Sequence, residues 1–145
     1  MPSENYSEIL KILGTMSLDL RGNLEVGRGN TAKGIDLITQ AAAKEKDLGY
    51  TEPPRYFRPE AESLGYAYIK SKQWDEAREA FNQALRQRPK SGHALFGIAQ
   101  SYALAGDTAN ATSAYRDFLA AWPHADPDLQ QVKQANAWLA AHPRP

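Results

Sequence analysis

Two consecutive stretches of the chain repeat one order of residue types. Residues 58–91 read RPEAESLGYAYIKSKQWDEAREAFNQALRQRPKS, and residues 92–125 read GHALFGIAQSYALAGDTANATSAYRDFLAAWPHA. At an offset of 34 residues the following pairs coincide: Leu64 and Ile98, Gly65 and Ala99, Tyr68 and Tyr102, Ala77 and Ala111, Phe81 and Tyr115, Pro89 and Pro123. Composition bias does not produce this order twice at one offset, so the chain contains an internal repeat.

Each repeat predicts a pair of helices. In residues 58–91, Ala61, Leu64, Gly65 and Tyr68 follow the i, i+3, i+4, i+7 spacing of one helix face. The small residue Gly65, like Ala99 in the next repeat, allows a neighbouring helix to approach closely.

Caps and breakers predict where the second helices begin and end. Asp75 and Asp107 are suited to N-cap positions because a carboxylate oxygen accepts from the first unbonded N–H groups. Prolines at the end of each repeat stop the helices, since proline lacks an N–H and clashes with the preceding turn. Asp126-Pro127 predicts a new start, and so a capping helix over residues 126–141 that closes the array against water.

These patterns resemble the tetratricopeptide repeat family. That family has a 34-residue helix–turn–helix unit with small residues at positions 8, 20 and 27 and a proline near position 32. The matching residues here are Gly65, Ala77, Ala84 and Pro89, then Ala99, Ala111, Phe118 and Pro123. Phe118 departs from the pattern, because alanine is usual there, and we expect it to push the last helix pair apart. The resemblance implies an all-α, right-handed superhelical stack of about three helix pairs forming a single domain over residues 1–145.

A weaker copy of the repeat precedes these two. In residues 16–48, Gly29-Asn30 matches the turn between helices, Gly34 matches position 20 and Ala41 matches position 27. Its first helix, about 17–27, is a poor match because Arg21 and Glu25 stand where apolar residues are expected. Further upstream, residues 3–14 predict a separate N-terminal helix with an apolar stripe, which covers this end of the array or belongs to a longer one: Tyr6, Ile9, Leu10 and Leu13.

A proline-rich loop over residues 49–58 separates the weak copy from the second repeat. Pro53 and Pro54 fix φ and favour extended backbone, so the loop is expected to be stiff. Its Tyr-x-Glu-Pro-Pro-x-aromatic segment resembles the C-terminal regions of uncharacterised bacterial tetratricopeptide proteins. Two interpretations stay open: a rigid spacer, or one wall of a ligand groove that offers Glu52, Arg55 and Tyr56.

The first helices of such pairs line the concave side of a stack, which is where a ligand would bind. The positions beside the core face mix apolar with polar side chains, as a peptide groove does: Glu62, Tyr66, Ile69, His93, Phe96, Gln100 and Ala103. The alternative is that the loop or the first repeat covers these side chains. The family's clamp for acidic C-terminal tails needs lysine, arginine and asparagine here, and these positions lack them.

Composition argues against several functions. The 17 basic and 17 acidic residues balance, so nothing favours nucleic acid or an anionic membrane, and no apolar run approaches the ~20 residues that span a bilayer. The chain has no cysteine, its three histidines are far apart, and no nucleophile, phosphate-loop or metal-ligand motif occurs. We therefore expect no enzyme, no cofactor and no metal.

The sequence thus predicts a non-catalytic adaptor that binds a protein or peptide segment. The alternative is a structural or oligomerisation module of a larger bacterial protein, with self-association. The opening MPSENYSEIL shows no signal peptide, which favours a cytoplasmic location unless Met1 is an internal start of a longer chain.

Overall fold

A computed structural model of the chain describes residues 4–49 and 59–143. These residues form helices and connections and contain no strand; the helices are α1 (Glu4–Gly27), α2 (Thr31–Leu48), α3 (Glu60–Lys70), α4 (Trp74–Gln87), α5 (Gly92–Leu104), α6 (Thr108–Ala121) and α7 (Gln130–Ala141). The predicted all-α class is confirmed. The chain divides into two compact units, Met1–Gln73 and Trp74–Pro145, and the assignment of one domain over residues 1–145 stays a prediction.

The 34-residue period of the sequence recurs in the bounds of the helices. Residues 74 and 108 begin α4 and α6, and residues 87 and 121 end them. Residues 70 and 104 end α3 and α5. Of the four pairs of equivalent helix bounds, three therefore differ by 34 residues, as the repeated residue types do.

One turn geometry follows the first helix of each pair. Gly29, Lys72 and Gly106 have φ values of 89°, 60° and 81°. In each case this residue's N–H donates to the carbonyl three residues earlier at 3.0–3.1 Å, and the next N–H donates to the carbonyl five residues before it at 2.9–3.0 Å. This is the Schellman arrangement, which satisfies the last carbonyls of a helix. The turn predicted at Gly29-Asn30 therefore has the same conformation as the turns after α3 and α5.

In the first unit, α1 and α2 touch through their backbones. A Cβ atom on Gly22 would lie 2.5 Å from Cγ1 of Ile38 and 2.9 Å from the carbonyl oxygen of Gly34. One on Gly34 would lie 2.7 Å from the carbonyl oxygen of Gly22 and would also meet Val26. No side chain fits at either position, so the two glycines set how closely this helix pair packs.

The buried face of each second helix repeats as well. Positions 20, 24 and 27 of each copy are buried: Gly34, Ile38 and Ala41 in α2, Ala77, Phe81 and Ala84 in α4, and Ala111, Tyr115 and Phe118 in α6. Positions 20 and 27 therefore lie in the core in all three copies, both where the residue is small and where it is the large Phe118.

In the second unit, aromatic rings lie against glycines of α5. A Cβ atom on Gly97 would overlap the ring of Phe81, and one on Gly92 would overlap the indole of Trp122. The indole Nε1–H of Trp122 also donates to the carbonyl of Lys90 at 2.9 Å. The glycines thus create the space that lets α4 and the end of α6 pack against α5.

The last helix covers an aromatic cluster of the second unit. Val132 and Ala135 of α7 are 7% and 0% exposed and belong to the cluster that contains Phe96, Tyr115 and Phe118. The ring of Trp138 lies 5.7 Å from that of Tyr115, and its Nε1–H donates to Thr112 at 3.1 Å. The predicted C-terminal helix therefore caps this end of the second unit.

The N-terminal region differs from the prediction. Residues 3–14 do not form a separate helix, because α1 runs without a break from Glu4 to Gly27. The expected break was placed near Gly14, but one glycine costs a helix only about 1 kcal/mol. Thr15 is fully buried at this point, and its hydroxyl donates to the carbonyl of Lys11 at 3.0 Å. The apolar stripe of residues 3–14 is 51–58% exposed.

Three predicted helix starts also shift. Asp126 and Pro127 form a turn, with Asp126 Oδ1 accepting from Asp128 N at 2.8 Å, and α7 begins only at Gln130. Asp75 is the second residue of α4 and contacts Arg78 instead of capping the helix. Proline is suited to the first helical position, but Pro59 occupies the N-cap of α3, whose first residue is Glu60. Asp107, by contrast, caps α6 as predicted, accepting from Asn110 N at 3.1 Å.

The glycine contact yields a testable prediction. Gly34→Ala should lower the free energy of unfolding by about 1–3 kcal/mol, because the new methyl group overpacks the α1–α2 contact. Gly27→Ala is the matched control, since nothing lies within 4 Å of a Cβ atom there. Urea unfolding followed by circular dichroism measures both. Equal stabilities of the two variants would contradict the close approach.

The turn geometry yields a second prediction. Lys72 is the one described non-glycine residue with positive φ, which strains an L side chain by about 1–2 kcal/mol. Lys72→Gly should therefore raise the melting temperature, although the greater freedom of glycine in the unfolded chain offsets part of the gain. Gly106→Lys, the reverse change in the equivalent turn, should lower it. Calorimetry tests both, and shifts of the same sign would refute a shared turn conformation.

Candidate functional site

The first helix of each pair presents a hydrogen-bonding side chain at one register position. Directly after the small residue at position 8 comes Asn23 in α1, Tyr66 in α3 and Gln100 in α5. All three are half-buried. Amide and phenol groups both donate and accept hydrogen bonds, as a peptide backbone requires of its partner.

Asn23 is held in place by its own helix. Its Nδ2 donates to Oδ1 of Asp19 at 2.7 Å and to the carbonyl of Asp19 at 2.9 Å. Asp19 stands one turn earlier, at position 5, and is also half-buried. The pair forms an ordered polar patch beside the α1–α2 contact.

Position 5 behaves differently in the other two pairs. Glu62 of α3 is 1% exposed and Phe96 of α5 is 4% exposed. Both were predicted to line the groove, and Phe96 was expected to lie outside the core. The structure corrects that expectation: neither side chain is open to a ligand in this conformation.

Aromatic rings of α6 surround Phe96. Phe118 fills a place where the repeat normally has alanine, and its ring meets that of Phe96 edge-on at 5.5 Å. The ring of Tyr115 lies 5.9 Å from that of Phe96. Aromatic contacts at these distances are favourable, so both rings stabilise Phe96 in the core.

The remaining predicted groove residues are spread over different environments. Ile69 is 8% exposed, and Ala103 packs partly against the aromatic cluster of the second unit. His93 is exposed at the start of α5. Of the predicted set, Tyr66, Gln100 and His93 keep polar groups at or near the surface.

The predicted loop contacts Glu52, Arg55 and Tyr56 lie outside the described residues. A hydrogen bond links α2 to the start of α3, in which Oε2 of Glu45 accepts from the backbone N–H of Glu60 at 3.1 Å. This bond satisfies one of the first N–H groups of α3, whose N-cap residue Pro59 makes no side-chain cap. A carboxylate at a helix N-terminus also complements the helix dipole.

Titratable groups show modest, local perturbations. Hydrogen bonds from Asn30 and Lys33 hold the pKa of Glu25 below its ordinary value, and Asn110 does the same for the pKa of Asp107. Burial raises the pKa of Tyr115. Each of these groups caps or packs a helix, and none of the three lies beside a cluster suited to acid–base chemistry.

The described part of the chain shows neither a metal-binding cluster nor a membrane-spanning helix. Residues 4–49 and 59–143 bring together no group of three histidine, cysteine or acidic side chains that could hold a metal ion. No helix in the same part of the chain combines the length and the apolar character needed to cross a membrane.

Sequence reasoning missed the contribution of α1. Gly22 precedes Gly34 by 12 residues, as Gly65 precedes Ala77 and Ala99 precedes Ala111. Counting back from Gly34 identifies position 8 of the weak copy and, one residue later, Asn23. The mismatched residues Arg21 and Glu25 of the same helix obscure this signal in the sequence.

Comparison with known proteins supports the fold. Residues 63–126 match the family model described as tetratricopeptide repeat, which confirms the resemblance seen in the sequence. No curated protein is similar to the chain in sequence.

Solved structures of low sequence identity share the fold. The TPR domain of Arabidopsis OM64 is 14% identical, with a TM-score of 0.68 over 91% of this chain and 98% of that one. The second TPR domain of human RPAP3, in complex with the HSP70 peptide SGPTIEEVD, is 16% identical, with a TM-score of 0.63 over 89% and 98%. The Sgt2 TPR domain from Aspergillus fumigatus is 21% identical, with a TM-score of 0.64 over 90% and 85%.

The corrected place of Phe96 makes a prediction. Phe96→Ala should lower the free energy of unfolding by about 3–5 kcal/mol, because it leaves a cavity between Tyr115 and Phe118. Gln100→Ala, one turn later on the same helix, should change it by no more than about 0.5 kcal/mol. Denaturant titration compares the two. A Phe96→Ala variant of wild-type stability would restore this ring to the ligand-binding surface.

Proposed function

We propose that this chain is a non-catalytic adaptor that binds an extended peptide segment through side chains of α1 and α3, the first helices of its first unit. The observation that carries the proposal is position 9 of these helices, where Asn23 presents a half-buried amide and Tyr66 a half-buried phenol. The fold supports it, since the similar RPAP3 domain was solved in complex with a peptide.

The chemistry of position 9 favours peptide backbone over acidic termini. Amides and phenols bond to the carbonyl and N–H groups that every extended peptide offers. In α1, Asp19 at position 5 is a half-buried carboxylate, so like charge disfavours a carboxylate-rich tail there. We therefore expect a neutral or basic segment, in contrast to the SGPTIEEVD peptide of the RPAP3 complex.

Binding to a peptide array tests the proposal. The wild-type chain should retain neutral or basic peptides and should not retain SGPTIEEVD. For the best array peptide, Asn23→Ala and Tyr66→Ala should each raise the dissociation constant about 5- to 30-fold, the loss of about 1–2 kcal/mol typical of interface anchors. Gln83→Ala, an exposed glutamine of α4, is the control and should leave affinity unchanged.

Two results would contradict this function. The first is retention of no array peptide by a chain whose circular dichroism shows intact helices. The second is equal affinity of the Asn23→Ala, Tyr66→Ala and Gln83→Ala variants for the same peptide, which would move binding away from position 9.

A further inference from the structure

The face of α1 that turns away from α2 is an apolar stripe. Seven large side chains on it are 48–62% exposed, and elsewhere in the described chain only three large apolar residues are exposed. The stripe follows one side of the helix over about 27 Å, at 1.5 Å per residue. Its members are Tyr6, Ile9, Leu10, Leu13, Met16, Leu20 and Leu24.

The repeat register shows which kind of element fits this face. Aligned on position 8, Leu20 and Leu24 of α1 correspond to Gly97 and Ser101 of α5. In α5 these residues are buried, and Gly97 lies against the ring of Phe81 in α4. Only residues 88–91 connect α4 to α5, so the two helices run in opposite directions. The corresponding face of α1 is therefore shaped to receive an antiparallel helix.

We propose that the occupant is α1 of a second copy of this chain, packed antiparallel about a two-fold axis near residue 15. Residues whose numbers lie symmetrically around 15 face each other, so Tyr6 meets Leu24 and Leu10 meets Leu20. At the midpoint Leu13 meets Ser17 and Met16 meets Gly14. Ile9 lies opposite Arg21, whose aliphatic stem can cover it.

Small residues at the midpoint permit the close approach. Gly14 lies beside Leu13 and Ser17, is exposed, and has no atom of the chain within 4 Å of a Cβ position. A mid-helix glycine weakens the helix and nothing within the chain requires it here. Against a second α1 it has a purpose, because the absence of a side chain lets the two backbones come together.

The exposed area is sufficient for a stable dimer. About half of each of seven large side chains, roughly 100 Å² apiece, gives on the order of 700 Å² per copy, close to the ~800 Å² per partner of a standard interface. An apolar patch of this size is more than a soluble monomer usually exposes.

The helix dipoles favour the antiparallel orientation. A parallel pair would align the two dipoles, whereas the antiparallel pair places the positive N-terminal end of each helix beside the negative C-terminal end of the other.

Sedimentation equilibrium of the intact chain tests the dimer. The wild type should have twice the mass of the 16.0 kDa chain at micromolar to submillimolar concentration. Leu13→Glu should raise the dimer dissociation constant at least about 30-fold, with unchanged circular dichroism. Leu104→Glu is the matched control, because both leucines are 54% exposed, and it should remain dimeric.

Some outcomes would overturn the proposal. A wild-type mass of one chain across the range would show that another helix, such as one from a longer protein, occupies the face. A dimer that Leu13→Glu and Leu104→Glu weaken equally would place the interface elsewhere. Ser17→Glu is a second variant of the same contact, in case the Leu13 variant misfolds. Ser17 is exposed and polar in the single chain, so its replacement should leave folding intact and still weaken the dimer.

Disulfide trapping tests the orientation, because the chain has no cysteine of its own. Leu10→Cys and Leu20→Cys, mixed and oxidised, should give a mixed dimer, and each variant alone should give little. Self-linked dimers of each separate variant would indicate a parallel pair and would refute the antiparallel arrangement. Neither experiment involves a peptide, so its outcome is independent of the proposed peptide binding.

Discussion

Two helices can lie backbone against backbone only where neither carries a side chain at the crossing point, and the fold of this chain depends on that constraint. In the first unit Gly22 and Gly34 meet it, with no room for a Cβ atom on either. In the second unit Ala99 and Ala111 are both fully buried in one cluster. The close crossing brings positions 8 and 20 opposite each other, and the turn residue with positive φ lets the second helix run back along the first. The half-buried side chain at position 9 has its place because position 8 is the contact point.

The elements that could be predicted from the sequence are those whose signal is repeated. The 34-residue offset anticipated that α4 and α6 begin and end at equivalent positions and bury the same face, because packing acts on the same positions in every copy. Local signals without a second copy were weaker. Gly14 did not break α1, because the packing of α1 on α2 outweighs the cost of one glycine. Asp126-Pro127 did not begin α7, because the turn there satisfies its own hydrogen bonds.

The candidate site was predicted only in part, for a related reason. A family position tells which side of a helix a residue occupies, but the surrounding contacts decide whether that side is open. Glu62 and Phe96 share position 5 and are both buried, Phe96 against the ring of Phe118. Tyr66 and Gln100, at position 9, are half-buried. Asn23 went unnoticed because the weak copy was judged by its mismatches and not by its glycine.

The first and last helices differ in a way that bears on assembly. In the second unit α7 buries Val132 and Ala135 against the aromatic cluster and turns mostly polar residues outward, as a helix that ends an array should. In the first unit α1 buries Thr15, Gly22 and its neighbours on α2 and leaves leucines on its outer face. These leucines are 48–62% exposed along the helix, which is more apolar surface than the end of an array usually leaves open to water, and a helix packed on this face would cover it.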